Sequence, residues 1–114
     1  MKIDKFEDII AWQKAGVLTM EIFNMFRNNR DYSFKDQIQR AVISIMNNIA
    51  EGFERRTDKE FRNFLYIAKW SCGEVRSMLY VAIKLNYVSA EQFQRFYKLS
   101  TEISKMISGL IKTL

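Results

Sequence analysis

The side chains best suited to chemistry gather between Gln37 and Leu65, QIQRAVISIMNNIAEGFERRTDKEFRNFL. Arg40, Ser44, Asn47, Asn48 and Glu51 recur there at steps of three or four, the spacing that stacks side chains on one face of a helix, opposite Ile38, Ile45 and Ile49. One reading leaves this polar ladder in solvent, with Glu51 and Gly52 forming the helix end. The preferred reading has Arg40, Asn48 and Glu51 hydrogen bonding to a neighbouring helix or subunit, because a buried polar group needs a partner. Two adjacent arginines, Arg55 and Arg56, follow, with Lys59 beyond them. Cations so placed could meet a polyanion, whereas proton transfer or nucleophilic attack finds little support.

There is no histidine, and the one cysteine, Cys72, falls on an inward helical stripe, where a thiol is inert packing. Cys72 has no companion at metal-ligand spacing, and the carboxylates do not form the Glu-x-x-His pairs of di-iron bundles. Glu51 has no base, nucleophile or metal partner. Gly16, Gly52, Gly73 and Gly109 are isolated rather than grouped in a phosphate loop, and Gly16 and Gly73, inside helical patterns, fit close helix approach. No enzymatic activity, cofactor, metal or small-molecule substrate is expected.

The elements that position these residues follow from composition and periodicity. A chain of 114 residues with no proline, four glycines and 48% hydrophobic residues fits one all-α domain over residues 1–114. Helix 1 is predicted from Asp4, with Glu7 at capping-box spacing, to about Asn28, with Ala11, Trp12, Ala15, Leu18, Ile22, Phe23 and Phe26 inward. Asn28 to Ser33 reads as a turn. Helix 2 starts at Ser33 with Asp36 behind it, turns Phe34, Ile38, Ala41, Val42, Ile45, Met46 and Ile49 inward, and stops at Gly52. Helix 3 opens on Thr57 and Glu60 and runs to about Asn86; helix 4 opens on Ser89 and Gln92. Short junctions make sequential helices antiparallel neighbours, which predicts an up-down-up-down four-helix bundle. No apolar run approaches the roughly 20 residues of a membrane span, and Met1 to Glu7 does not read as a signal peptide, so a cytoplasmic protein is expected.

Two helices carry more apolar or aromatic surface than one core needs. On helix 1, Phe6, Ile10, Val17 and Met20 are predicted to lie away from the Trp12 stripe, open to a second copy of the chain. On helix 3, the outer face collects Arg62, Tyr66, Lys69, Trp70, Ser77, Tyr80 and Lys84. This mixture suits a subunit interface, single-stranded nucleic acid or an ordinary amphipathic surface. Between residues 62 and 84, Arg62, Lys69, Arg76 and Lys84 stand against Glu74, a surplus of three in a chain whose net charge is +5. A pI near 9.4 is compatible with a polyanion partner and equally with a solvated basic surface.

Particular residues carry a family resemblance over nearly the whole chain. Phe6-Glu7-Asp8-Ile9 and Trp12-Gln13-Lys14-Ala15, then Gln37 to Ile45, Asn48-Ile49-Ala50-Glu51-Gly52, Arg55-Arg56 and Glu60 to Ala68 resemble the four-helix-bundle proteins encoded in bacterial 23S rRNA intervening sequences. The same fold group includes the accessory variability determinant of diversity-generating retroelements. The sequence departs from the pattern at Ile45-Met46-Asn47, where the family often has proline, and at Trp70, where a small residue is usual. The resemblance implies a homopentameric ring of bundles without enzymatic activity, and a role in binding nucleic acid or a reverse-transcriptase partner; it does not imply a place in the ribosome. Arg40, Ser44, Asn48, Glu51, Arg55 and Arg56 match the family motif.

Two functions compete. In the first, a non-catalytic oligomer presents Arg55, Arg56, Lys59, Arg62 and Lys69 to RNA or DNA, and oligomerisation turns a weak patch into an avid one. In the second, a protein-interaction scaffold seals Tyr66, Trp70 and Tyr80 between subunits and binds no polyanion.

Overall fold

A computed structural model describes residues 3–114. Helix α1 spans Ile10–Phe26, α2 Tyr32–Phe53, α3 Asp58–Lys84 and α4 Ala90–Lys112, after one short turn of 3-10 helix at Phe6–Asp8. Helix α1 packs on α2 and α4, and α3 packs on the same two, so α1 and α3 lie on one diagonal of an antiparallel bundle. The bundle measures 43 × 22 × 19 Å. Its core joins Leu18, Ile22 and Phe26 of α1, Ile38, Val42, Ile45 and Ile49 of α2, Leu65, Cys72, Val75 and Leu79 of α3, and Ile103 and Ile107 of α4, all fully buried.

Sequence signals fix most helix ends. Thr57 caps α3 by accepting from the Glu60 amide at 3.1 Å, and Ser89 and Gln92 form a complete capping box on α4. Other ends differ from expectation. Helix α2 is capped by Asp31, which accepts from the Phe34 amide at 3.2 Å, two residues ahead of Ser33. Helix α3 stops at Lys84, because Asn86 takes a left-handed φ of 61° and the amides of Asn86 and Tyr87 turn back to the carbonyls of Ile83 and Ala82. Tyr87 then reaches across the bundle end, donating its hydroxyl to Asp31 at 2.6 Å and packing edge-on against Phe26 and Phe34.

The start of α1 also departs from the predicted continuous helix. Asp4 and Glu7 form no cap; the turn at Phe6–Asp8 has no side-chain cap, and Ile9, extended at φ −76° and ψ 117°, separates it from α1. The break lets Ile9 enter the core and lays Phe6 edge-on against Trp12, 5.3 Å between ring centres. In an unbroken helix Phe6 would share the outer face of Ile10 four residues on. Phe6 is instead half-buried against its own protomer.

Gly52 is a further correction. It lies inside α2, buried, and the helix continues through Phe53 to an ordinary right-handed end at Glu54. What it permits is contact: a Cβ here would sit 2.6 Å from Cβ of Phe64 and 3.0 Å from Cδ1 of Phe61 on α3. Gly16 and Gly73 do not play that part, since a Cβ on either meets only a side-chain tip, at 3.7 Å (Met46) and 3.8 Å (Arg76). Gly52→Ala should therefore lower stability by about 1–2 kcal/mol after the helix-propensity gain is deducted. Gly109→Ala, with nothing within 4 Å, should gain roughly 0.5–1 kcal/mol. Urea unfolding of the two variants beside the parent checks both signs.

Candidate functional site

Within the protomer the polar ladder bonds mostly along its own helix. Only Ser44 reaches the neighbouring helix, its hydroxyl 3.0 Å from that of Ser71 on α3. Asn48 turns back along its own helix to the Ser44 carbonyl and hydroxyl at 2.8 and 2.9 Å. Arg40 pairs with Asp36 at 3.0 Å, and Glu51 with Arg55 at 2.9 Å, both one turn apart on α2 or its extension. Of the expected contacts with a neighbouring helix or subunit, those of Arg40, Asn48 and Glu51 with another helix of the same protomer are not formed. The physical reason is that a partner one turn away is met at less side-chain entropy than one across the bundle.

The arginine pair at the α2–α3 turn is divided. Arg55, held by Glu51, also lays its guanidinium over the Phe64 ring, 4.8 Å from the centroid, so its charge is engaged locally. Arg56 and Lys59 are exposed and, among the described residues, form no ion pair. Arg62 is half-buried and donates to the Leu114 carbonyl at 2.8 Å. Glu51, Glu54, Asp58 and Glu60 stand beside Arg55, Arg56, Lys59 and Arg62, and the turn as a whole is close to neutral. Lys69 lies elsewhere, half-buried on the flank of α3 that faces α4.

The aromatic stripe is divided too. Tyr66 and Trp70 pack together, 6.4 Å between ring centres, beside Asn63 and Ile67 on the outer face of α3, and Trp70 is 68% exposed. Tyr80 joins Phe93 and Tyr97 of α4 instead, at 5.2 and 5.5 Å. Ile67 was not anticipated; its spacing from Asn63 and Trp70 was the available signal. On α1, Ile10, Val17 and Met20 are exposed, the last to 62%. Beside them Gln13, Gly16, Val17, Met20 and Met46 line an open, mostly apolar depression between α1 and α2. Because α1 and α3 are diagonal, these two apolar faces look in opposite directions.

Along the α3–α4 flank the helices run antiparallel in a register set by Arg62 at Leu114, Arg76 at Ser100 and Tyr80 at Tyr97. The Ser100 hydroxyl donates to the Cys72 carbonyl at 3.1 Å. Burial pushes the Cys72 thiol up to about 11, partly offset by the positive charge of Arg76, the Ser100 hydroxyl and Lys69. On the opposite side of α4, Lys14 holds the Glu102 carboxyl below its ordinary range, and Glu21 grips Arg95. Among the described residues no group of three or more His, Cys, Asp or Glu could hold a metal ion, and no helix is long and apolar enough to cross a membrane.

The buried thiol yields a pH test. Cys72 in the unfolded chain ionises near its ordinary 9.0, in the folded chain near 11, so its stabilising contribution is complete below about pH 9 and declines as pH rises toward 11. At pH 8 a disulfide reagent such as DTNB should label Cys72 only at the rate of unfolding, and urea should raise that rate in step with the unfolded fraction.

The geometry finds close company among known proteins. A solved structure from Bacteroides thetaiotaomicron VPI-5482, described as a protein with unknown function from the S23 ribosomal protein family, is 27% identical and superimposes with a TM-score of 0.84 over 90% of this chain and 96% of its own. No curated protein matches. The family described as 23S rRNA-intervening sequence protein matches residues 7–109, a span that includes the α1 start, the Asn48–Gly52 segment, the arginine pair and most of α4, and the chain belongs to that family.

Proposed function

We propose that this protein is a non-catalytic bundle that self-associates and acts by binding, with nucleic acid as the partner of its basic surface. The observation that carries the reading is the pair of apolar faces on diagonal helices, Ile10, Val17 and Met20 on α1 and Tyr66, Ile67 and Trp70 on α3. Faces that point oppositely cannot both be covered in one two-fold dimer. A head-to-tail contact, α3 of one copy against α1 of the next, covers both and closes into a ring when the rotation per contact divides a full turn. Trp70 supplies a projecting ring, and the depression floored by Gly16 and Met46 supplies its seat. Rings of this kind accord with the five-membered assembly that the family resemblance leads one to expect.

Support for the nucleic-acid partner is electrostatic. The net charge is +5, and the α3 stretch from Arg62 to Lys84 holds a surplus of three of it. Repetition around a ring multiplies such a surface.

Two measurements test the reading. Light scattering should give a mass several times 13.6 kDa. Trp70→Ala and Met20→Glu should each shift the species toward the protomer while leaving helicity unchanged. A parent protein that remains a monomer at high concentration discards the assembly; an assembly that retains no RNA or DNA at low salt leaves only the scaffold.

A further inference from the structure

We infer that the nucleic-acid site lies along the seam between α3 and α4, and that it takes a single strand, its phosphates on Lys69, Arg76 and Lys105 and a base on Tyr80. This rests on the nucleic-acid reading above and moves the contact away from the α2–α3 turn.

The placement follows from the register of the two helices. Arg62, Lys69 and Arg76 are spaced by seven residues, two helical turns or about 10.5 Å per step, on the α3 flank that faces α4. Arg76 reaches Ser100 at 3.5 Å, the outer limit of a hydrogen bond, which fixes that flank. Residue numbers that lie level across the seam sum to about 176, from Arg62 at Leu114, Arg76 at Ser100 and Tyr80 at Tyr97. Lys69 is thus level with Ser108, and Lys105 with the turn of α3 between Lys69 and Arg76. Thr101 shares the α3-facing side of α4 with Tyr97 and Ser108, at steps of four and seven, and Lys105 follows Thr101 one turn on, exposed and about 40° further toward solvent, at the outer edge of the seam.

Charge distinguishes this seam from the rest of the surface. Between Arg62 and Tyr80 no carboxylate from either helix lies on it: Glu74 sits on the far side of α3, Glu102 is paired with Lys14 of α1, and Glu91 lies beyond Tyr97. Asp58 closes one end, a turn before Arg62. Arg95 is matched by Glu21, Arg40 by Asp36 and Arg55 by Glu51, whereas Lys69, Arg76 and Lys105, like Arg56 and Lys59 at the turn, have no ion pair among the described residues. A row of unmatched cations with hydroxyls between them is suited to successive phosphates, whose contacts release counterions. At the other end Tyr80 is half exposed and braced by Phe93 and Tyr97, a firm ring on which a base can stack. A duplex does not offer an unstacked base to that ring, which is why a single strand is the occupant.

The test uses the full chain and a short fluorescein-labelled oligouridylate, followed by anisotropy across a salt series, with helicity and mass checked for every variant. Lys69→Glu with Lys105→Glu should weaken binding about 10- to 100-fold and reduce the salt slope by roughly one to one and a half. Tyr80→Ala should weaken it about tenfold while leaving the slope unchanged. Arg56→Glu with Lys59→Glu should stay within about twofold of the parent. If the turn variant loses binding and the seam variant retains it, the seam is the wrong site and the broader reading survives. If the parent does not bind at all, both fall. Equal competition by a polyglutamate peptide, or duplex binding as tight as single strand, overturns the assignment of a stacked single strand.

Discussion

Everything in the bundle leans on how closely α2 and α3 approach each other at Gly52. With no side chain there, the backbone of α2 comes close to the Phe61 ring and the Cβ of Phe64, and Phe53 meets Phe61 edge-on at 5.8 Å. That contact sets the angle at which the chain reverses through Arg55, Arg56 and Thr57. A small change of angle at the turn would be magnified along the roughly 40 Å of α3 and would misalign its core stripe with α2 and α4. The Ser44–Ser71 pair, two turns further along, holds the same interface in register.

The polar residues around this hairpin are largely spent on the fold. Asn48 ties to Ser44, Glu51 to Arg55, and Arg55 to the face of Phe64. Among the described residues no buried side-chain nitrogen or oxygen lacks a partner. A buried group of that kind is what a catalytic or ligand site commonly leaves exposed to its substrate. The conspicuous Asn-Ile-Ala-Glu-Gly segment with Arg55 therefore staples a helical hairpin, while Arg56 and Lys59 stay exposed at its turn.

The surfaces proposed for contact, on α1, on the outer face of α3 and along the α3–α4 seam, do not compete for space. The apolar faces sit at opposite ends of the α1–α3 diagonal, while the seam occupies the quarter of the bundle between α3 and α4. The proposed apolar contacts between copies and cationic contacts with a strand would therefore not exclude one another. The same division explains why Tyr80 parts company with Tyr66 and Trp70. A shift of about 100° per residue carries Tyr80 onto the α4 flank, where Phe93 and Tyr97 hold it.

By itself the sequence determined the four helices, their antiparallel order, the Thr57 and Ser89 caps, the inward stripe that holds Cys72 and the family to which the chain belongs. Those follow from local periodicity and capping, which need no knowledge of neighbours. Only the tertiary structure decided that Gly52 is a contact point and not a stop, that Phe6 folds back on Trp12, that Arg55 and Arg62 are engaged within the chain, and that Lys69 and Arg76 lie on the flank of α3 that faces α4. Each of these depends on which element packs against which and at what height, and a helical period specifies a face without specifying what lies opposite it.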